Sequence, residues 1–343
     1  MQTLLNTLYV STPMSYLHLD NDTVRVEVER ETRLRVPLHH LGGIVLFGNV
    51  LVSPALIHRL ADDGKSLILL SEHGRFKARM EGPTSGNILL RQAQHARAAD
   101  PAFALAIARA FVAGKVKNTR QVLLRGGREA RDTEDSARLT RRADDLAASL
   151  RALPAAGDLD TVRGLEGEAA RQYFAGLNLV LRPESRAVFA MDGRSRRPPR
   201  DRINALLSFL YAMLMNDCRS AVETVGLDPQ LGFLHAVRPG RAALALDLME
   251  EFRALADRLA LTLINRGQIQ SGDFTEHDGG AVTLADGGRK TVIVAWQEKK
   301  REELAHPLLQ QAVPIGLLPL LQARFLARTL RGEMASYLPF TTR

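Results

Sequence analysis

The sequence predicts an α+β protein, with a small N-terminal β-strand-rich domain followed by a larger all-α-helical domain. Residues 1–82 alternate or run apolar over short stretches between turn formers, which is typical of strands. From residue 88 onward, apolar residues recur every three or four positions, which is typical of amphipathic helices. The chain has 343 residues, 45% of them hydrophobic, and this is enough for about two domains with their own cores.

The first domain is predicted to be a β-meander or a small sandwich that contains one helix. Its expected strands read LLNTLYV, SYLHLD, TVRVEVERE, RLRVPL, GIVLFG, KSLILL and RFKARME. The helix is expected over about residues 53–62, before Gly64. Because the turn formers GPTSGN then end the strand pattern, we place the domains at residues 1–82 and 88–343, with a linker at 83–87.

The second domain is predicted to be helical, with two interruptions. Its main helices are expected over residues 88–99, 101–127, 134–152, 161–178, 201–225, 242–265 and 305–333. Ala281–Trp296 (AVTLADGG, then RKTVIVAW) is rich in β-branched residues, which indicates an inserted hairpin. Residues 192–202 (DGRSRRPPRDR) are expected to form a basic loop, because Pro198-Pro199 prevents a continuous helix and five arginines favour solvent.

Composition excludes several classes of protein. The single cysteine, Cys218, excludes internal disulfides and CxxC metal sites, and its apolar helical surroundings predict a core role. The N-terminus has no signal-peptide pattern, and no apolar run reaches the roughly 20 residues that span a bilayer. We therefore expect a soluble, untargeted, cytoplasmic protein without membrane contact.

The basic charge excess lies in the second domain. Residues 1–86 carry nine Lys/Arg and nine Asp/Glu, which leaves 37 of the 46 basic and 29 of the 38 acidic residues for the remainder. This half of the chain is therefore the one expected to bind a polyanion such as nucleic acid.

Three stretches carry acids or a histidine in unusual settings. Glu166 lies between small residues in GLEGEA, and His235 follows the turn of GLDPQLGFLH. Asp247 lies three and four residues before Glu250 and Glu251, so these acids are neighbours on a helix surface. Each stretch alone also fits an interpretation without a functional role. Glu166 would be a solvated acid, His235 a half-buried structural imidazole, and the acids at 247, 250 and 251 a solvated face of a helix. Together they would form an oxygen and nitrogen site for Mg²⁺ or Mn²⁺, the ions of phosphodiester chemistry.

Other catalytic patterns are missing from the sequence. It contains no GxxxxGK[ST], GxGxxG or GxSxG motif, so neither a phosphate-binding glycine loop nor a hydrolase nucleophile elbow is predicted.

Three segments follow one another along the chain, in the order LEGEAARQYF, RINALLSFLYAML and GLDPQLGFLHAVRPGRAALALDLMEEFR. In wording and order they resemble the CRISPR-associated integrase family Cas1, the endonuclease of spacer acquisition. A GKVKNTRQVLLR helix and the two-domain order agree with the family, so the resemblance covers most of the chain. AWQEKKREELAHPLL and the ending YLPF resemble the subfamily found with type I-C systems.

The resemblance implies that Glu166, His235 and Glu250 are metal ligands for Mg²⁺ or Mn²⁺, although many members have Asp at the position of Glu250. Asp247 would orient His235 or a metal-bound water, and Tyr211 matches a tyrosine near the scissile DNA. Glu251, about 100° further round a regular helix, is expected to tolerate substitution. Since clustered acids repel, removing Glu250 is not expected to lower the melting temperature of the metal-free protein.

The implied activity is a transesterification, in which the 3′-hydroxyl of a captured DNA fragment attacks a phosphodiester at the edge of a CRISPR repeat. Basic side chains are expected to neutralise the phosphates of this double-stranded DNA: Lys115, Lys117, Arg120, Arg194, Arg196, Arg197 and Arg200. The resemblance implies homodimers, two of which flank a Cas2 dimer, with Cas4 assisting in I-C systems. We expect the homodimer to pair through residues 1–82, because their charge is balanced and their strands offer edges that pairing would cover.

Two alternative functions use the same residues. A stand-alone metal-dependent nuclease acting on branched DNA would use the same acids and histidine with water as the nucleophile. A non-catalytic DNA-binding scaffold would carry the acids only as a solvated surface.

Overall fold

The computed structural model describes residues 6–72, 76–80, 82 and 88–342. Contacts divide the chain into two compact units, Met1–Ser85 with Leu284–Val294, and Gly86–Thr283 with Ala295–Arg343. A strand-rich N-terminal region followed by a helical region confirms the predicted fold class. The predicted linker at 83–87 lies outside the described residues, and so does most of the turn after Glu72.

The first unit contains two four-stranded sheets and a helix. In chain order the elements are β1 (Asn6–Val10), β2 (Tyr16–Asp20), β3 (Thr23–Val28), β4 (Glu31–Pro37), β5 (Leu41–Phe47), β6 (Leu51–Val52), α1 (Pro54–Asp62), β7 (Ser66–Leu70) and β8 (Phe76–Met80). The strand orders are β4-β3-β2-β6 and β1-β5-β7-β8. Parallel pairing of β1 with β5 and of β5 with β7 excludes a simple meander, because parallel neighbours need crossover connections.

One apolar core serves both sheets of this unit. Leu17 and Val24 from one sheet lie in the same buried cluster as Ile44 and Leu46 from the other, as expected of a small sandwich. Helix α1 begins where predicted, because the Ser53 hydroxyl accepts a hydrogen bond from a backbone N–H of the first turn.

The second unit is mainly helical. Its helices are α2 (Ile88–Ala98), α3 (Pro101–Glu129), α4 (Thr133–Ala152), α5 (Leu159–Val180), α6 (Pro183–Phe189), α7 (Arg202–Val225), α8 (Ala243–Met249), α9 (Arg253–Asn265), α10 (Asp286–Arg301) and α11 (Leu318–Leu330). Helix α10 begins among the residues assigned to the first unit. None of the helices in the described part of the chain combines the length and apolarity that crossing a membrane requires. Cys218 is a buried free thiol, which confirms its core role.

Three local predictions in this half are wrong. RKTVIVAW belongs to helix α10, because Val292 and Trp296 are both buried at helical spacing. The helix predicted over 242–265 is broken by a 3-10 turn at Glu250–Phe252. The one predicted over 305–333 is confined to α11, because residues before it pair as β11 (Glu303–Ala305) and β12 (Ala312–Pro314).

The unit is also not purely helical, since a second short pair, β9 (Phe274–Glu276) with β10 (Val282–Leu284), precedes α10. Helix α6 was not predicted. Its seven residues are too few for an apolar period to be visible in the sequence.

Candidate functional site

Asp247 holds the loop that carries His235. Its fully buried carboxylate accepts hydrogen bonds from the backbone N–H groups of Phe233 (2.6 Å), Leu234 (3.0 Å) and His235 (2.9 Å). The close approach requires Gly232, because a Cβ there would lie 2.6 Å from Asp247 Oδ2. The same carboxylate lies 2.6 Å from His235 Nδ1. Since an ionised carboxylate only accepts, Nδ1 carries the proton and Nε2 is left as an acceptor.

Glu250 lies in the 3-10 turn between α8 and α9, close to this imidazole. Its side chain is 3% exposed, and its Oε1 is 3.9 Å from His235 Nε2. Its Oε2 is 2.7 Å from Lys115 Nζ and 2.9 Å from Arg253 Nε. Burial alone would raise the pKa of Glu250, but the charges of Arg253 and Lys115 outweigh it and hold the pKa below its usual range.

Lys115 joins the third acid to this group. Its ammonium on α3 also forms an ion pair with Glu166, which projects from α5. The structure therefore brings Glu166, His235 and Glu250 together, although they come from three different elements. Lys115, predicted to neutralise DNA phosphates, is buried between two carboxylates of the site instead of lying on the surface of α3.

These side chains lie in a cavity of about 590 Å³, which is also lined by Phe174, Tyr211, Arg194 and Arg253. Tyr211 is buried, and its hydroxyl donates to Asp257 at 2.5 Å. Burial and the charge of Asp257 raise the pKa of Tyr211 well above its usual value. In this structure Tyr211 is thus a wall of the cavity, with its hydroxyl committed to a buried acid.

A second tyrosine completes this buried group. The Tyr173 hydroxyl donates to the other oxygen of Asp257 at 2.9 Å, and burial raises the pKa of Asp257. Sequence reasoning did not select Tyr173, Asp257 or Arg253. A charged residue within the apolar pattern of α9 was the available signal for Asp257.

The arginines of the predicted basic loop, residues 192–202, differ in their burial and their contacts. Arg194 is half-buried and donates to Asn204 Oδ1 (2.6 Å) and to Ser208 Oγ (3.2 Å), with its guanidinium 5.5 Å from the centre of the Tyr211 ring. The expectation that all five arginines stay solvated is therefore wrong for Arg194 and for Arg202, which is also half-buried and pairs with Glu276. The remaining three loop arginines predicted to bind DNA are exposed, namely Arg196, Arg197 and Arg200.

On the earlier helix, Lys117 is also exposed. Arg120 lies along α4, where its Nε donates to the carbonyl of Ala143 at 3.0 Å.

A solvated acidic surface does not describe Asp247, Glu250 and Glu251. All three are buried, since Asp247 and Glu251 are 0% exposed and Glu250 is 3% exposed. Asp247 is matched by hydrogen-bond donors and Glu250 by cations, which is how buried charges persist, whereas burial raises the pKa of Glu251 to about 8 despite its three donors. Glu251 was expected to tolerate substitution because of its place on a continuous helix, but that helix breaks at Glu250 and Glu251 is fully buried.

The donor set fits a hard divalent ion, with two carboxylates and an imidazole nitrogen that is free to accept. Among the described residues, no group of three His, Cys, Asp or Glu side chains is close enough to hold a metal as it stands. Lys115 explains this spacing, because its ammonium lies between Glu166 and Glu250 and places a positive charge at the point where the acids converge.

Comparison with known proteins gives consistent matches over the chain. The family model described as CRISPR associated protein Cas1 matches residues 8–298. The chain is 55% identical to the CRISPR-associated endonuclease Cas1 1 of Moorella thermoacetica, over all of both chains. It is 49% identical to Cas1 2 of Rhodospirillum rubrum, over 99% of each. It is 36% identical to a Cas4/Cas1 fusion of Geobacter sulfurreducens, covering 98% of this chain and 60% of the fusion.

Solved structures share the fold at low sequence identity. The Cas1 protein TM1797 of Thermotoga maritima superposes with a TM-score of 0.82 at 23% identity, over 96% of this chain and 97% of that one. A casposase bound to integration product gives 0.82 at 21% identity, over 97% and 93%. A chain of a Cas6-RT-Cas1–Cas2 complex gives 0.84 at 23% identity, over 100% of this chain and 37% of that one.

Proposed function

The chain belongs to the CRISPR-associated Cas1 family, and we propose that it joins the 3′-hydroxyl ends of captured DNA fragments to the CRISPR repeat by metal-dependent transesterification. Full-length relatives at 46–55% identity are named CRISPR-associated endonuclease Cas1, so the enzyme class follows from the family. The observation that carries the integrase proposal is the convergence of Glu166, His235 and Glu250 at one cavity, with Asp247 fixing the imidazole.

The proposed ligands of Mg²⁺ or Mn²⁺ are Glu166, His235 and Glu250. When bound, such an ion polarises the phosphoryl oxygen and stabilises negative charge on the attacking and leaving oxygens. Lys115 already supplies one positive charge between the two carboxylates. A metal ion that takes both carboxylates as ligands would therefore have to displace the Lys115 ammonium from between them.

The other cavity residues would bind and orient the DNA. In the reaction, the fragment's 3′ oxygen forms a bond to a repeat phosphorus while the bond from that phosphorus to a repeat 3′ oxygen breaks, so one phosphodiester replaces another. Arg194 and Arg253 line the cavity beside Tyr211 and add positive charge where the DNA phosphate backbone would pass. The exposed arginines of the 196–200 loop would bind flanking phosphates without sequence preference.

The proposed assembly is a homodimer that acts with Cas2 and, in some systems, with Cas4. Support comes from a chain of similar fold in the Cas6-RT-Cas1–Cas2 complex and from relatives that join Cas4 and Cas1 in one chain. The type I-C assignment stays a prediction.

The test is a strand-transfer assay with a duplex bearing free 3′-hydroxyls, a supercoiled repeat plasmid and Mn²⁺, with Cas2 added. We expect Glu166→Gln, His235→Ala and Glu250→Gln each to abolish joining to a similar degree, because residues that act as one unit are non-additive. The matched control is Glu168→Gln, an exposed acid on the same helix that pairs with Arg171.

Full joining by any of the three site variants would contradict the proposal, as would an equal loss in Glu168→Gln. Nicked plasmid without joined product would favour the hydrolytic nuclease, with water as the nucleophile.

A further inference from the structure

The segment of residues 337–342 binds the side chain next to Glu250. The Glu251 carboxylate accepts hydrogen bonds from the Tyr337 hydroxyl and, at 2.6 Å, from the backbone N–H of Phe340. Gln322 Nε2 on α11 donates to the same carboxylate at 2.9 Å. Glu251 is fully buried, so these three donors replace the water that a carboxylate needs.

These contacts hold the short 3-10 turn that presents Glu250. The turn Glu250–Phe252 separates two helices and lacks the continuous hydrogen bonds of either. Asn118 Nδ2 donates to the backbone carbonyl of Glu251 at 2.8 Å, and the Phe252 ring stacks on Phe340 with centroids 5.6 Å apart. The turn is therefore anchored by side-chain and backbone contacts on the side away from the cavity.

The same segment also contacts α3 on both sides of Lys115. Asn118 donates to the carbonyl of Phe340 at 2.9 Å, and its side-chain oxygen accepts from the backbone N–H of Thr342 at 2.7 Å. At Gly114, a Cβ would lie 2.9 Å from Pro339 Cβ and 3.2 Å from Glu251 Cγ, so the segment and the turn approach α3 closely at this point. One segment thus touches the neighbours of both Lys115 and Glu250.

We propose that residues 337–342 and Glu251 are positioning residues, which set the distance between Glu250 and Lys115 and thereby the geometry of the metal ligands. The inference rests on the proposed function. Ligands from separate elements must converge to within a fraction of an ångström, and disturbing the groups that orient ligands typically costs about 10- to 100-fold in affinity or activity.

The experiment compares Tyr337→Phe with Trp296→Phe in the full-length chain. Each change removes a buried aromatic donor from a carboxylate, and Trp296 donates to Asp217 without contacting the turn residues Glu250–Phe252 through any hydrogen bond. The readouts are kcat and KM for the DNA duplex, the affinity for Mn²⁺ from the free-ion electron paramagnetic resonance signal, and the circular dichroism spectrum.

For Tyr337→Phe we expect a kcat lowered about 10-fold or more, KM for DNA within about twofold, and a Mn²⁺ affinity weakened about 10-fold. Trp296→Phe should retain the parent values. If Tyr337→Phe loses the folded spectrum, Gly114→Ala serves in its place, since it displaces the segment without deleting a hydrogen bond.

Parent kcat and parent Mn²⁺ affinity in the folded variant would overturn the inference, as would an equal loss in Trp296→Phe. A parent protein that binds Mn²⁺ but does not join DNA would overturn the proposed function, while the Mn²⁺ comparison would still decide the inference.

Discussion

Asp247 is the residue on which the orientation of His235 depends. Its two oxygens accept three backbone N–H bonds from the 233–235 loop and the imidazole N–H as well. An Asn side chain has one oxygen and one donor nitrogen, so it cannot accept all four of these bonds.

We expect Asp247→Asn to lower strand transfer about 10- to 100-fold, because the imidazole loses both its orientation and its preferred tautomer. The initial rate of strand transfer at saturating Mn²⁺ measures this effect. Asp217→Asn is the control, since Asp217 is likewise a hydrogen-bonded carboxylate, which accepts from Trp296 and Lys300. Equal rates in the two variants would show that Asp247 has only a structural role.

Glu250 is predicted to stabilise the metal-free protein, contrary to the repulsion expected from sequence. The side chain neutralises Lys115 and Arg253, so Glu250→Gln leaves two cations without this partner, and breaking a buried pair costs about 3–5 kcal/mol. We therefore expect the variant to melt below the parent at pH 7 in EDTA.

The difference in melting temperature between the parent and Glu250→Gln should depend on pH in a definite direction. The folded pKa of Glu250 lies below its ordinary value of 4.5, so the unfolded chain takes up the proton first as the pH falls. The stabilisation is present above pH 4.5 and is lost as the pH falls through the folded pKa. Melting curves from pH 7 to pH 3.5 should show a constant separation of parent and variant down to about pH 4.5 and a narrowing separation below it, and a separation that narrows already above pH 4.5 would contradict this account.

At the scale of elements, the helix break at Glu250–Phe252 limits what sequence could predict. Apolar residues continue at helical spacing from α8 into α9, so the period gives no sign of the break. The expectation that Glu251 tolerates substitution rested on a continuous helix, which the structure does not have. The tertiary contacts of Glu251 with Tyr337 and Phe340 stabilise this turn. Contacts between residues so far apart in the chain leave no pattern in the local sequence.

In helix α10 the local residue propensity predicted a strand where the structure has a helix. Its Thr-Val-Ile-Val run favours a strand by local propensity, yet buried Val292 and Trp296 share one helical face and the last turn is rich in lysine. Lys and Arg in a last turn favour a helix through the dipole. Burial at helical spacing therefore outweighs β propensity over this segment.

The loop before α7 yields a prediction about DNA binding. Replacing the exposed Arg196, Arg197 and Arg200 by Ser should weaken binding equally for all sequences. The slope of log affinity against log salt should become shallower by about 0.9 for each phosphate that the variant no longer neutralises. Titration of a fluorescent duplex at several salt concentrations measures both quantities.

The control for this loop changes two exposed basic residues of the first unit that lie outside β4 to Ser, namely Arg30 and Lys77. Since that part of the chain has a balanced charge, the salt slope should stay at the parent value. An unchanged slope in the loop variant would mean that the loop does not touch phosphates.

At the scale of the whole molecule, the two-part fold was predictable because the apolar period changes once along the chain. The convergence of Glu166, His235 and Glu250 was not derivable from spacing, since they lie on α5, a loop and a 3-10 turn, and it was expected only through the family resemblance. Lys115 was expected to bind DNA because the sequence shows that the side chain is positively charged but does not show where it points. Its place between two carboxylates depends on how α3 packs beside α5 and the turn.

The strand-rich unit yields the last prediction, which concerns assembly. Strand β4 is at the edge of its sheet, pairs only with β3 among the described strands, and is exposed over its first five residues. An edge strand of seven residues with an exposed Leu34 offers backbone groups to a second copy. We therefore expect the chain to dimerise through β4, and Leu34→Lys to convert the dimer into a monomer of 37.8 kDa in light scattering. Leu51→Lys, on the two-residue strand β6 at the opposite edge, is the control and should remain dimeric, because so short a strand offers few pairing groups. A dimer that survives Leu34→Lys at every concentration tested would place the interface elsewhere, and a monomeric parent would exclude self-association through this edge.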